Sequence, residues 1–370
     1  MAIDKITTAS ITDANITTAK LAYDAAPFRN IIINGDMSIA QRATSVSSVN
    51  TTGYYTCDRF QWLADYGVVT LSQDTDVPTG QGFAKSFKAD VTTSATVSSG
   101  GYVLMRHRIE GQNLQYLKKG TSSAESLTVS FWVKSTKTGT YIAELYDADN
   151  TRQISKAYTV SSSNTWEKKE VTFAGDTSGA LGNDNGGSLF LNLYLSAGTD
   201  YTSGTLSTTW TAPTSANRVV GQVDFQDSTS NNFYVTGIQM EAGTTASDFE
   251  FLPYDINLMR CERYCSTLAS GLQSLGLGFQ NATDSMYFPQ KLKQTMRTTP
   301  SLNQVTGTNY YAFYPVSGTD NFNSITLVGS YSNERYIELA NVSDISGTAG
   351  NSGFIRAINS SVLVLLEAEL

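Results

Sequence analysis

Histidine occurs once in 370 residues, cysteine three times and proline seven times. With His107 alone, a Ser-His-Asp site or an imidazole metal centre would have to be built around one side chain. The three cysteines, Cys57, Cys261 and Cys265, are an odd count that argues against a complete disulfide framework. Cys261 and Cys265, four apart in "CERYC", are expected on one face of a helix as reduced, partly buried thiols. Charged residues make up 16% of the chain, well below the roughly 25% of an ordinary globular domain. The net charge is −8 and no Lys/Arg cluster exceeds a triplet, which argues against nucleic-acid binding. No run of about 18 apolar residues is present, so no membrane insertion is expected. "MAIDKITTAS" lacks the apolar stretch of a secretory signal. The expectation is synthesis in a cytoplasm and release by lysis.

What replaces charge is Thr, Ser, Asn and Gly, together with 20 tyrosines and 16 phenylalanines. Thr, Tyr, Val and Phe suit pleated surfaces, and Gly, Ser and Asn supply turns. That is the profile of a β-rich extracellular or virion protein. The first 26 residues are different. Ile6, Ile11, Ile16 and Leu21 recur every five residues, with Ala9, Ala14 and Ala19 in step. One large apolar residue in five cannot offset the ordering cost of a single chain. A disordered leader is one reading. The regular period favours the other, in which identical chains bury these positions on a shared axis.

The remainder divides into residues 27–253 and 254–370. In the first block, "RNIIING", "SLTVSFWVKS", "TYIAELYDADN", "TWEKKEVTF", "SLFLNLYLSAG" and "NNFYVTGIQMEAG" read as strands separated by turn signals. "TWEKKEVTF" reads as an edge strand with exposed lysines. Leu189, Leu191, Leu193 and Leu195 share one face of theirs. Six or more strands without a long helix argue a jelly-roll β-sandwich. The second block opens with "YDINLMRCERYCSTLA", whose spacing predicts a short amphipathic helix. "SMYFPQKLKQ", "NYYAFYPV", "SITLVGSY", "RYIELANV" and a buried final strand in "SSVLVLLEAEL" follow, enough for a second sandwich. The fold class expected is all-β: pentad-repeat oligomerisation segment, jelly roll, short linker helix and C-terminal β-sandwich.

"FRNIIINGDMSIAQRAT", "CDRF", "LTVSFWVKSTKTGTY", "TWEKKEVTFAGDTSG", "LFLNLYLSAGTDY", "FYVTGIQMEAGTTASDFEFLPY", "LMRCERYC" and the terminal "EAEL" occur in that order. In this order they resemble a family of bacteriophage tail-fibre and virion-associated proteins. The pentads are similar to Ile-Thr-Thr-Ala-Lys repeats of trimeric shafts in such fibres. The resemblance implies a homotrimeric virion protein with a jelly roll like carbohydrate-binding modules, attached through its N-terminal segment to other tail or head proteins. It implies binding to a host surface glycan, brings no catalytic residues, and leaves a structural calcium in doubt.

Several apparent motifs do not hold their chemistry. "GDMS" has Met37 where an esterase nucleophile would stand. "DADNTRQ" has Arg152 where an EF-hand needs glycine, and "GNDNGG" lacks the lysine of a phosphate loop. No catalytic residue, metal or cofactor is therefore expected. His107 is expected as a strand or surface residue. Trp62, Trp132, Trp166 and Trp210 sit in or beside strands, where a core role is expected. Tyr310, Tyr311, Tyr314, Tyr331 and Tyr336 are the candidate glycan-binding residues, since sugar C–H faces stack on exposed aromatic rings. Ile6, Ile11, Ile16 and Leu21 are the candidate oligomerisation residues. A structural role as head fibre, decoration or connector protein is the alternative, and glycan depolymerisation a lesser one.

Overall fold

The computed structural model describes residues 28–316 and 318–370. The four pentad positions Ile6, Ile11, Ile16 and Leu21 lie outside the described residues. Twelve strands build the first sandwich. They are β1 (Ser45–Val49), β2 (Gly53–Tyr54), β3 (Phe60–Ala64), β4 (Val68–Asp74), β5 (Ser86–Thr93) and β6 (Tyr102–Glu110), followed by β7 (Leu127–Ser135), β8 (Gly139–Asp147), β9 (Arg152–Val160), β10 (Glu167–Phe173), β11 (Gly187–Ala197) and β12 (Asn232–Ala242). They form two six-stranded sheets, ordered β1-β4-β5-β12-β7-β10 and β2-β3-β6-β11-β8-β9. Neighbours pair antiparallel, and the chain passes repeatedly from one sheet to the other, which makes this a jelly roll.

Period-two alternation decides which side chains enter the core. Leu189, Leu191, Leu193 and Leu195 of β11 are buried against Val129, Phe131 and Val133 of β7 in one apolar cluster. Strand β10, which carries Lys168 and Lys169, is an edge of its sheet. "RNIIING" forms turns rather than a strand. Its asparagines compete with ladder pairing by bonding locally. Asn30 Oδ1 accepts from the Ile32 and Met240 amides, while Asn34, at φ 62°, donates to the Ile39 and Asp58 carbonyls.

Helix α1 (Thr199–Thr202) lies after β11, and α2 (Tyr254–Glu262) leads into the second sandwich. The helix stops earlier than its sequence pattern suggests. Cys265 begins β13 (Cys265–Ser270), so Cys261 and Cys265 share no helix face; both are free and buried, as is Cys57. The remaining strands are β14 (Gln273–Ala282), β15 (Ser285–Lys291), β16 (Ser301–Gln304), β17 (Tyr311–Pro315), β18 (Asp320–Phe322), β19 (Thr326–Leu327), β20 (Tyr336–Asn341), β21 (Ser352–Ala357) and β22 (Leu363–Glu367). They make a three-stranded sheet, β13-β22-β16, and a seven-stranded one, β18-β17-β21-β14-β15-β20-β19, around a second core. The apolar β22 is central in the smaller sheet, with Val364, Leu365 and Leu366 buried.

The two sandwiches meet through ionic side chains drawn from widely separated motifs. Arg59 of "CDRF" is fully buried; it pairs with Glu369, donates to the Arg108 carbonyl at 2.7 Å and lies 3.4 Å from the Tyr264 ring centre. Glu110 accepts two 2.7 Å bonds from Arg263 and one from the Tyr264 hydroxyl. Burial raises the Glu110 carboxyl, but these donors outweigh it and hold it below its ordinary range. Arg42 reaches Glu367 at 2.7 Å and Glu369 at 3.3 Å, and Arg297 donates to the Ala368 and Glu369 carbonyls.

Candidate functional site

The tyrosines chosen from sequence do not share one environment. Tyr311 is completely buried and stacks on Phe322, so its ring is part of the second core and closed to a ligand. This corrects its candidacy; the β17 pairing register turns it inward. Tyr310 packs partly against the same core, and Arg356 sits over Tyr314. Tyr331 and Tyr336 are 74% and 52% exposed. Tyr336 lines a basic pocket of about 320 Å³ with Lys291, Lys293 and Arg335, in which none of the other four takes part.

The tryptophans also divide. Trp62 is a core residue, and Trp210 packs partly against the core with its indole N–H on the Ala174 carbonyl. Trp132 and Trp166 instead stand on the outer face of the first sheet, which corrects the core role expected for them. The reason is strand phase. Val129, Phe131 and Val133 of β7 point inward, so Ser130, Trp132 and Lys134 point outward. Trp132 is flanked by Lys168 on β10 and Thr236 on β12.

Around Trp132 the chain builds an aromatic pocket of about 320 Å³. β12 breaks register between Thr236 and Gln239, and Gly237 there takes φ 64°. A Cβ at Gly237 would stand 2.5 Å from the Phe83 ring, so glycine is what admits Phe83 to the sheet surface. Phe83, Phe249 and Phe251 then pack mutually, with ring centres 4.9–5.1 Å apart. Phe251 is half exposed. Gln81, Ser130, Lys168 and Asp248 supply polar groups on the same walls. A concave aromatic surface with a few polar groups suits a ligand having apolar C–H faces and hydroxyls.

The sheet face continues beyond the pocket. Trp166 packs edge-on to Tyr234 and donates its indole N–H to Asp76 at 2.9 Å. Lys134 pairs with Asp76 and lies 4.3 Å from the Tyr234 ring centre. Burial raises the Asp76 carboxyl, yet the Lys134 and Trp166 hydrogen bonds prevail and keep it below its ordinary value.

Other residues singled out from the sequence are structural. His107, on β6, is buried, and its Nε2 accepts the Ile33 amide at 3.2 Å. Burial, reinforced by the Arg59 charge, drives its pKa well below the ordinary value, so the ring is neutral. In "DADN", Asp147 accepts the Asn150 amide and an ammonium proton of Lys119 at 2.5 Å, and Lys119 also reaches Asp176. A lysine thus meets the charge of those carboxylates. No cluster of three or more His, Cys, Asp or Glu suited to a metal occurs among the described residues.

Sequence reasoning missed Trp132 and the three phenylalanines. The alternation of β7 carries the signal for Trp132: its large aromatic is out of phase with Phe131. Nothing local brings residues 83, 249 and 251 to it.

No protein-family model matches the chain, and no curated protein matches it. Among solved structures it is similar to the enzymatically active domain of tailspike protein 4 of bacteriophage CBA120, at 14% identity and a TM-score of 0.32 over 59% of this chain and 22% of that one. It is similar to TmCBM61 in complex with beta-1,4-galactotriose, at 9% identity and a TM-score of 0.29 over 58% of this chain and 99% of that one. It is also similar to a family 11 carbohydrate-binding module from Clostridium thermocellum in complex with a beta-1,3-1,4-mixed-linked tetrasaccharide, at 13% identity and a TM-score of 0.26 over 55% and 99%. This chain therefore spans about a fifth of the length of the tailspike domain. The strand order, not these likenesses, defines its fold.

Proposed function

We propose that this protein is a non-enzymatic component of a phage tail fibre or spike, which binds a host surface glycan through the Trp132 pocket. The observation that carries this reading is the outward tryptophan set among three packed phenylalanines and four polar side chains. Glycoside hydrolysis generally needs two carboxyl groups about 5–9.5 Å apart across the bond. The pocket wall offers one, Asp248, which favours binding over cleavage. In this reading the chain is a homotrimer, joined to other virion proteins by residues 1–26. Parallel copies make weak glycan contacts act together.

The test is a host-glycan array probed with the intact protein and with Trp132→Ala and Phe251→Ala. Binding should weaken about tenfold or more in Trp132→Ala, equivalent to about 1.4 kcal/mol, while host polysaccharide incubated with the protein keeps its chain length. Absence of binding to host glycans and cells, or wild-type binding by Trp132→Ala, overturns the proposal.

A second reading, a structural virion protein contacting other capsid or tail proteins, is favoured by the outer face of the seven-stranded sheet. Leu277, Phe279 and Phe354 are all at least half exposed there, with Leu277 directly opposite Phe354 on β21.

A further inference from the structure

A separate cavity of about 400 Å³ lies where β6 and the turn after it meet helix α2. Its wall differs in kind from that of the Trp132 pocket, because three arginines, Arg108, Arg260 and Arg263, contribute to it. Arg260 has no carboxylate within ion-pair distance among the described residues, and its one hydrogen bond is a 3.4 Å contact with the Asn30 carbonyl. Burial lowers its pKa, and the charge of Glu250, beyond ion-pair distance, offsets only part of that cost.

Two neighbours also hold buried donors without partners, on opposite faces of β6. His107 accepts through Nε2, so the neutral ring carries its proton on Nδ1, and that buried N–H has no partner among the described residues. Arg108 donates through Nη1 to the Leu370 carbonyl, but its buried Nε–H is also without a partner. Arg263 is different, since Glu110 satisfies its fork. Both orphaned atoms are shielded from the cavity itself, so the group in its wall that calls for an acceptor from outside is Arg260, an arginine with no carboxylate in ion-pair range. At the mouth stand the exposed rings of Tyr116 and Phe28 and the exposed amide of Asn113.

We propose that this cavity binds a carboxylate-bearing sugar residue of an acidic polysaccharide. The carboxylate would face Arg260 in the planar, two-point geometry that guanidinium offers. The sugar ring would lie against Tyr116 at the mouth. A bare inorganic anion would leave the aromatic rim unused, and a neutral sugar would leave the Arg260 charge unmet. The site is distinct from the Trp132 pocket and shares no lining residue with it.

The experiment is calorimetric titration of the full chain with galacturonate, glucuronate and N-acetylneuraminate oligosaccharides, each beside its carboxyl-reduced, neutral counterpart. Inorganic phosphate is titrated as a bare-anion control. At least one acidic probe should bind about tenfold or more tighter than its neutral counterpart. Arg260→Gln should abolish that preference, Arg260→Lys should retain part of it, and Tyr116→Ala should weaken acidic-sugar binding. Urea midpoints of the variants establish that they remain folded. Equal binding of every acidic and neutral pair, no binding of any acidic probe, phosphate binding as tight as the sugar, or a preference that survives in folded Arg260→Gln each overturns the proposal.

Discussion

Glu110→Ala tests whether the ionic junction joins the two sandwiches into one cooperative body. The carboxylate is fully buried and accepts from Arg263, Tyr264 and Gln112. Removing it leaves the Tyr264 hydroxyl, in a residue 1% exposed, without that acceptor; an orphaned buried polar group costs about 1–3 kcal/mol. Arg263 is 28% exposed and can recover part of its bonding from water, so its loss is discounted to about 1 kcal/mol. The total is about 2–4 kcal/mol, on the scale of a large single-residue effect. All four tryptophans lie in the first sandwich, so their fluorescence in urea reports that sandwich, while far-UV circular dichroism reports both. The curves should coincide in the wild type and separate in Glu110→Ala. In a Tyr264→Phe background the same substitution should cost about 1–2 kcal/mol less, since no hydroxyl remains to be orphaned. A loss below about 0.5 kcal/mol, or an unchanged cost in that background, refutes the reasoning.

Burial raises the Asp58 carboxyl from its ordinary 3.8 to about 6, against the opposing Arg42 charge and Gln41 hydrogen bonds. The folded state therefore keeps a proton that the unfolded state has released, and the stability this group contributes is full below about pH 4 and lost as pH rises through 6. Measured by urea midpoints, Asp58→Asn should gain on the order of 2 kcal/mol relative to the wild type between pH 4 and 7; parallel curves would contradict this. Cys57, Cys261 and Cys265 are buried, and burial pushes each thiol up, so a thiol reagent should label them only at the rate of unfolding. Fast labelling of native protein would show the junction to be open. Ile11→Ser with Ile16→Ser should reduce a particle near three times the 40.0 kDa chain mass in light scattering, with the far-UV spectrum retained. A stable wild-type monomer containing residues 1–26 would sink the shared-axis argument.

Strand content was legible because alternation is a local property. Leu189 to Leu195 on β11, and Tyr141, Ala143 and Leu145 on β8, face the core as their spacing requires. "RNIIING" misled because three isoleucines in a row read as a strand, whereas Asn30 and Asn34 bond the backbone into turns. The Tyr311 error has the same root: a tyrosine cluster has no visible inside until β17 is paired with β18 and β21. The aromatic pocket was least legible of all. Its rings come from residues 83, 132, 249 and 251, and only the β12 bulge and the sheet order bring them together.

The most distinctive motifs of the chain nevertheless converge, and where they converge bears on what they encode. "CDRF" supplies Arg59, "RCERYC" supplies Arg263 and Tyr264, "EAEL" supplies Glu369, and "IAQR" supplies Gln41 and Arg42. All of them meet at the joint between sandwiches, and none lines the Trp132 pocket. Each of these side chains is held by at least one partner, so a change in one strands another at a cost of up to several kcal/mol. The pocket residues Gln81, Lys168 and Asp248 carry no such obligation to the joint and can vary without disturbing it. The same physical logic separates the two roles: charge-assisted pairs that must match fix the arrangement of the domains, and an aromatic surface rimmed by exchangeable polar groups sets what the outer face can hold. The resemblance runs through both sets, since "LTVSFWVKSTKTGTY", "TWEKKEVTFAGDTSG" and "FYVTGIQMEAGTTASDFEFLPY" supply Trp132, Lys168, Asp248, Phe249 and Phe251 of the pocket wall.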